Sequence, residues 1–157
     1  MLRSKILVFF IVLFLSSSCS KEVSKETIIK EKSLELQVQE AYKEGTEALE
    51  SGDVLFAAKK FNEVEMLFPQ AESAPKSALM AAYSYYTQDY YGDAIAELER
   101  FIKVYPFYKD LDYTYYLLAI CYYEQIVDEK KDLQSIVNAK KNFNIILKNY
   151  PDTEYAI

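Results

Sequence analysis

The feature that most constrains the fold of this chain is a helical pattern that recurs three times at nearly constant spacing. Each copy ends with an aromatic residue followed by proline, at Phe68-Pro69, Tyr105-Pro106 and Tyr150-Pro151. A small residue precedes each proline by 12 positions (Ala57, Ala94, Ala139), and a large apolar residue precedes it by 8 (Phe61, Leu98, Phe143). A second helix is expected before each of these helices, with small residues at Gly45, Ala82 and Ala119, which are 37 and 37 residues apart. A fixed period of this size indicates stacked helical repeats that bury their apolar faces against their neighbours.

The order of small residue, aromatic residue and proline is that of tetratricopeptide (TPR) repeats. We therefore predict an all-α fold, a TPR-type α-solenoid of helix-turn-helix units with three repeats in this chain. The predicted domain is 37–157, with repeats at about 37–69, 75–106 and 111–151 and the start of a fourth at 152–157. Because no polar capping element follows the third repeat, the chain is interpreted as truncated at its C-terminal end.

The first repeat carries specific signals for its turn and its packing. Gly52 is expected to end the first helix, because glycine suits a C-cap, and Asp53 is expected to cap the second. Gly45 should let the partner helix approach closely, and Phe61 should fill the volume beside it.

The third repeat departs from the spacing of the other two. From Ala119 to Ala139 the distance along the chain is 20 residues, against 12 in each earlier repeat. This difference predicts an insertion of eight residues within about 128–135, as a charged, solvated loop. Asp112 is predicted to cap the first helix of this repeat.

The N-terminus predicts a bacterial lipoprotein signal peptide over residues 1–18. Arg3 and Lys5 provide its positive region, and an apolar run of ten residues follows, too short to span a membrane, which needs roughly 20. Three serines precede Cys19, as in a lipobox, so we predict lipidation of Cys19 and a polar tether within 19–36. The alternative is an ordinary secretory peptide that is cleaved nearby and leaves a free thiol.

Composition and motifs argue against nucleic-acid binding and against catalysis. The chain has no histidine and a net charge of −6, which becomes −8 without residues 1–18, so a phosphate-binding basic face is not expected. The sequence carries no nucleophile elbow, phosphate-binding loop or metal-spaced cluster, and we predict no enzyme activity, cofactor or metal. Glu97 and Glu99 resemble a carboxylate pair, but residues two apart on a helix point to different sides. Cys121 lies among aromatic residues and is predicted to be a buried apolar side chain.

Counting from the small residue of each first helix locates a candidate peptide-binding groove. Positions three before, one after and four after lie on one helical stripe, which is aromatic in the second and third repeats. The predicted groove residues are Tyr42, Leu49, Leu79, Tyr83, Tyr86, Tyr116, Ile120 and Tyr123. Such a surface would hold an extended or helical peptide by its apolar side chains. The alternative is that these tyrosines only pack between adjacent helices.

Several segments resemble the BamD family (also called ComL or YfiO), which comprises TPR lipoproteins of the β-barrel assembly machinery. The resemblance is carried by Tyr83-Ser84-Tyr85-Tyr86, Arg100-Phe101-Ile102, Pro106, Asp112-Tyr113 and Tyr116, and it extends over about 140 residues from the signal peptide. Members of the family have five repeats, so the resemblance implies that two are missing here.

The resemblance also implies a place and a role. It implies a lipid-anchored solenoid on the periplasmic side of the outer membrane that holds BamA and other lipoproteins of the complex. It further implies that unfolded outer-membrane β-barrel proteins are received through their aromatic-ended C-terminal segments. Two alternatives stay open on the residues alone: another periplasmic TPR adaptor lipoprotein, serving cell-wall assembly or division, and a subunit of an enzyme whose catalytic domain lies beyond Ile157.

Overall fold

The computed structural model describes residues 33–127 and 133–156. Within these ranges the chain forms α-helices and one short 3₁₀-helix, without any strand. The helices are α1 (Leu34–Ser51), α2 (Val54–Leu67), α3 (Ser73–Tyr86), α4 (Tyr91–Val104), α5 (Leu111–Glu124) and α6 (Leu133–Asn149), and the 3₁₀-helix is Glu154–Ala156. Among the described residues, no helix has both the length and the apolar character needed to cross a membrane.

The helices stack in chain order, as a solenoid of helix pairs requires. Each helix packs against the next one along the chain, and α3 also contacts α5. The 3₁₀-helix contacts both α5 and α6. Since α1, α3 and α5 are the first helices of successive repeats, this arrangement confirms the predicted all-α, TPR-like fold.

The turn between α1 and α2 forms as the sequence predicts. Gly52 has a φ of 85°, in the left-handed region, and its N–H donates to the carbonyls of Ala48 and Leu49. The carboxylate of Asp53 accepts the N–H of Phe56 at 3.2 Å and so caps α2. Only two residues, a C-cap glycine and an N-cap aspartate, therefore connect the helices of the first repeat.

The small residues of the repeat pattern lie where helices meet. Ala57, Ala82, Ala94 and Ala119 are fully buried. A Cβ atom added at Gly45 would lie 3.0 Å from Cε1 of Phe61, itself fully buried. The predicted close approach at Gly45 is therefore confirmed, and the aromatic ring occupies the space that a side chain would need.

Two helix starts differ from the sequence prediction. α1 begins at Leu34 rather than near residue 37, and the hydroxyl of Ser33 accepts the N–H of Leu36 at 3.3 Å. α5 begins at Leu111 after Asp110, so the prediction that Asp112 caps this helix was wrong. Asp112 lies inside the first turn instead, where a negative charge still favours the helix dipole.

Part of the predicted insertion in the third repeat is helical. α6 begins at Leu133 and has 17 residues, against 14 in α2 and α4, so part of the extra length extends the helix. Residues 128–132 lie outside the described part of the chain, as do the predicted signal peptide, Cys19 and most of the tether. The predicted boundaries of those segments remain predictions.

Candidate peptide-binding groove

The first part of the candidate groove is a cavity of about 580 Å³ between α3 and α5, which we call the α3–α5 cavity. Leu79 and Tyr83, both predicted groove residues, line it from α3. Leu79 is only 8% exposed and forms part of its floor. Tyr113 closes it from α5, and Tyr155 of the 3₁₀-helix closes it at the C-terminal side. The cavity is open to solvent and walled by aromatic rings, which suits an apolar side chain of a bound segment.

Tyr155 packs against part of the aromatic stripe that the sequence predicts to bind a peptide. Its ring centroid lies 5.1 Å from that of Tyr116 and 5.5 Å from that of Tyr113. Burial raises the pKa of Tyr113, so this phenol stays neutral at any physiological pH. Of these two predicted groove residues, Tyr83 lines the α3–α5 cavity, whereas Tyr116 contacts Tyr155 and does not line it.

The second part is a cavity of about 490 Å³ between α1 and α3, which we call the α1–α3 cavity. Tyr42, another predicted groove residue, lines it and packs edge-to-face against Phe61 with centroids 5.4 Å apart. The ammonium of Lys76 lies 5.5 Å from the centre of the Tyr42 ring, within range of a cation–π interaction. Lys76 lines both cavities, so the two parts of the groove are continuous at this residue.

Tyr83 and Tyr86 belong to a row of aromatic rings that continues onto α4. The ring centroids of Tyr83 and Tyr86 are 6.2 Å apart, and those of Tyr86 and Tyr91 are also 6.2 Å apart. The hydroxyl of Tyr91 donates to Asp89 at 2.7 Å, and this hydrogen bond, with burial, raises the pKa of Tyr91 to about 12. Because these rings pack against one another, they can present a rigid apolar surface that loses little conformational entropy when a ligand binds.

The remaining predicted groove residues are not all brought together. Leu49 packs against the core of the first repeat, and Ile120 is half-buried on α5. Tyr123 is 59% exposed and lines a separate cavity between α5 and α6, together with Phe143. Tyr123 therefore lies outside both the α1–α3 and the α3–α5 cavities.

Sequence reasoning missed several residues of the groove. Lys76 and Tyr113 each lie six positions before the small residue of their helix, one turn beyond the stripe that was counted. Extending the same count by one turn would have identified them. Asp110 and Glu154 also line the α3–α5 cavity, but they lie outside the α-helices, where helical periodicity carries no information.

A polar network joins the second helices of the first two repeats. The guanidinium of Arg100 on α4 donates to both carboxylate oxygens of Glu65 on α2, at 3.0 and 2.7 Å, and to Glu97 at 2.9 Å. The hydroxyl of Tyr105 also donates to Glu65 at 2.7 Å. Burial alone would raise the pKa of Glu65, but these hydrogen bonds and the charge of Arg100 outweigh it, and the pKa is lowered. The network holds α2 and α4 in register and thereby positions the helices that form the groove.

The described residues offer little that resembles a reaction centre. Cys121 is a free, fully buried thiol, as predicted, and burial raises its pKa to about 12. No group of three or more acidic, cysteine or histidine side chains in the described ranges is arranged to hold a metal ion.

Stacked helix pairs with an open aromatic groove along their first helices define a TPR-type α-solenoid. Residues 34–157, which include every described helix, match the family described as YfiO, outer membrane lipoprotein. The chain therefore belongs to this family of outer membrane lipoproteins.

Individual relatives agree with the family match. The chain is 36% identical over 140 residues to the outer membrane protein assembly factor BamD of Caulobacter vibrioides, covering 89% of this chain and 45% of that protein. It is 34% identical over 116 residues to the BamD of Rickettsia prowazekii, covering 74% and 46%. It is 26% identical over 129 residues to the BamD of Neisseria gonorrhoeae, covering 76% and 48%. The chain thus spans about half the length of the curated relatives it matches.

Proposed function

We propose that this chain is a lipoprotein component of the outer-membrane β-barrel assembly complex, where it scaffolds BamA and receives unfolded outer-membrane proteins in its groove. The observation that carries this proposal is the family match over residues 34–157, because it covers every helix that lines the groove. The relatives described above are named assembly factors for outer membrane proteins, which supports a binding role rather than a catalytic one.

The geometry of the groove supports a bound segment with aromatic anchors. Tyr83 lines the α3–α5 cavity and continues into the row formed with Tyr86, so an incoming ring can pack against several tyrosines at once. In such interfaces a few buried anchors contribute most of the affinity, typically 2 kcal/mol or more each. The resemblance to the BamD family implies that unfolded β-barrel substrates bind through segments that end in an aromatic residue, and such a residue would supply an anchor of this kind.

Peptide titration tests the substrate role. A labelled peptide from the C-terminal end of an outer-membrane β-barrel protein is titrated with the full chain and with Tyr83→Ala or Tyr86→Ala. Loss of one anchor should weaken binding by about 30-fold, the equivalent of about 2 kcal/mol, without a loss of helicity. Tyr90→Ala is the matched control, because Tyr90 is exposed and belongs neither to the two cavities nor to the row of rings formed by Tyr83, Tyr86 and Tyr91. Equal affinities for all four proteins would refute the groove as the substrate site.

A second experiment separates this role from that of another periplasmic TPR adaptor. Tagged chain is mixed with purified BamA, and the complex is captured and quantified. Binding of BamA supports membership of the assembly complex, whereas capture of no BamA would favour the adaptor of cell-wall assembly or division.

The proposed anchor is the lipid on Cys19, which would hold the chain on the periplasmic side of the outer membrane. Its support is the match between residues 1–19 and a lipoprotein signal, together with the family description. Cys19→Ser should move the protein from the membrane fraction to the soluble periplasmic fraction. A variant that still sediments with outer membranes in the absence of BamA would contradict the lipid anchor.

A further inference from the structure

The two ends of the groove carry opposite charge. Three carboxylates line the α3–α5 cavity: Asp110 before α5, Asp112 in its first turn, and Glu154 in the 3₁₀-helix. Lys76 also lines that cavity and stands at its border with the α1–α3 cavity. The α1–α3 cavity is lined by Lys76 and Lys43 and by one carboxylate, Glu35, and Lys43 also pairs with Glu47 at 3.5 Å. A segment lying along the groove would therefore meet an excess of carboxylates near the third repeat and an excess of ammonium groups toward the first.

The acidic end of the groove is also its most aromatic part. The rings of Tyr83, Tyr113 and Tyr155 wall the same cavity as the carboxylates. An aromatic face attracts a cation, and the attraction grows when the cation is partly withdrawn from water. A carboxylate offers about four acceptor positions, so Glu154 can accept a hydrogen bond from a donor that enters the cavity. Rings and carboxylates together favour a Lys or Arg side chain next to an apolar one.

Lys76 gives the groove a direction. Its ammonium lies against the ring of Tyr42, and a lysine ammonium has three donors to offer. An anionic group of a bound segment can therefore pair with Lys76 from the α1–α3 cavity, which neither Asp112 nor Glu154 lines. The reverse placement would put acidic groups against carboxylates, which is unfavourable where solvent is partly excluded.

We propose that the groove selects extended polypeptide segments by charge order: a Lys or Arg beside an aromatic residue enters the α3–α5 cavity, and an acidic group lies toward Lys76. This inference rests on the proposed function, because it assumes that the groove binds unfolded segments. It adds a cationic requirement, which the aromatic stripe by itself does not impose, and it sets the direction in which a segment lies.

The cationic requirement is tested with three labelled peptides of equal length that carry Arg, Gln or Glu beside one aromatic residue. We expect the Arg peptide to bind about five-fold more tightly than the Gln peptide, and the Glu peptide to bind more weakly than both. The double variant Asp112→Asn/Glu154→Gln should remove this preference. Because salt screens charges that are open to solvent, the preference should also shrink at high ionic strength.

A matched control distinguishes the effect of the cavity carboxylates from that of the net negative charge of the chain, which attracts any cation. Asp93 lies in the first turn of α4, as Asp112 does in α5, but it lines neither cavity of the groove. Asp93→Asn should therefore keep the full preference for the Arg peptide, and melting curves should show both variants folded. Equal losses in the Asp93→Asn and Asp112→Asn/Glu154→Gln proteins would overturn the proposal.

Direction is tested with two peptides that contain the same Arg, aromatic residue and Glu in opposite order. One order should bind more tightly, and Lys76→Gln should abolish the difference between them. Equal binding of the Arg, Gln and Glu peptides would overturn this inference and leave the proposed function intact. If none of the aromatic peptides binds, both the inference and the proposed substrate role are refuted.

Discussion

Replacing Gly45 with alanine tests the close approach on which the first repeat depends. In a helix interior alanine is normally more favourable than glycine by about 1 kcal/mol, so an unhindered position would gain stability. At Gly45, however, the added Cβ would lie 3.0, 3.1 and 3.2 Å from three carbons of the Phe61 ring. That ring is fully buried, so it has little room to move away.

The expected magnitude follows from two opposing contributions. Overpacking a closely packed core costs about 1–3 kcal/mol, against the helix-propensity gain of about 1 kcal/mol. We therefore expect Gly45→Ala to lower the free energy of unfolding by about 1 kcal/mol. For a helical domain of this size, this corresponds to a fall in Tm of about 4 °C.

Gly92 provides the matched control for the propensity contribution. It lies in the first turn of α4, and a Cβ there would meet nothing closer than 3.9 Å, the amide nitrogen of Gln125. Gly92→Ala should therefore leave stability unchanged or raise it by up to about 1 kcal/mol. The opposite signs at two helical glycines separate crowding from propensity.

Chemical denaturation followed by circular dichroism measures both variants, and the double variant Gly45→Ala/Phe61→Leu tests the source of the clash. Removing ring atoms should cancel part of the cost of the added methyl group, so the two changes should be non-additive. If Gly45→Ala proves more stable than the wild-type protein, as helix propensity alone predicts, the packing argument for this helix pair is refuted.

Four further outcomes are expected. Arg100→Met should lower the free energy of unfolding by about 1–3 kcal/mol in urea titrations, since it leaves the carboxylate of Glu65 buried without its cation; a neutral result would contradict the role of the pair. Because the pKa of Glu65 is lowered in the folded state, its ionised carboxylate stabilises the fold above the ordinary pKa of about 4.3, and this stabilisation is lost as the pH falls through the folded-state pKa. Acid titration of the Arg100→Met protein should therefore show a smaller loss of stability than that of the wild-type protein. Ala94→Leu should lower stability by about 1–3 kcal/mol, because Ala94 is fully buried, and an unaltered melting curve would contradict the repeat register. In a Cys19→Ser background, the thiol of Cys121 should react with a disulfide reagent only after denaturation, and rapid reaction of the native protein would contradict its burial.

The repeat architecture could be predicted from local sequence because its signals are local. Ala57, Ala94 and Ala139 each lie 12 residues before a proline, and that spacing is set by the helical turn and by the length of the second helix of each repeat. The turn between α1 and α2 could be predicted as well, because Gly52 adopts a positive φ at the end of one helix and Asp53 caps the next. The pattern did not predict that helices begin at Leu34 and Leu111, because several polar residues near a helix start can serve as the N-cap.

Tertiary structure decided which of the predicted side chains face the groove together. Tyr83 and Tyr123 belong to the same predicted stripe, yet they line different cavities, because α3 and α5 pack against different neighbouring helices. The ion pair between Glu65 and Arg100 joins residues 35 apart. The equivalent positions at the next repeat junction, Ile102 and Ile145, are apolar, so the repeat pattern does not predict the pair.

The sequence by itself determined the class of fold, the period of its repeats and the small residues that allow the helices to approach, because each of these follows from contacts between near neighbours in the chain. Only the tertiary structure placed Tyr155 against Tyr113 and brought Asp112 and Glu154 into one cavity with Tyr83. The physical reason is that helical periodicity specifies which face a residue occupies, whereas the composition of a groove depends on how separate helices and turns stack.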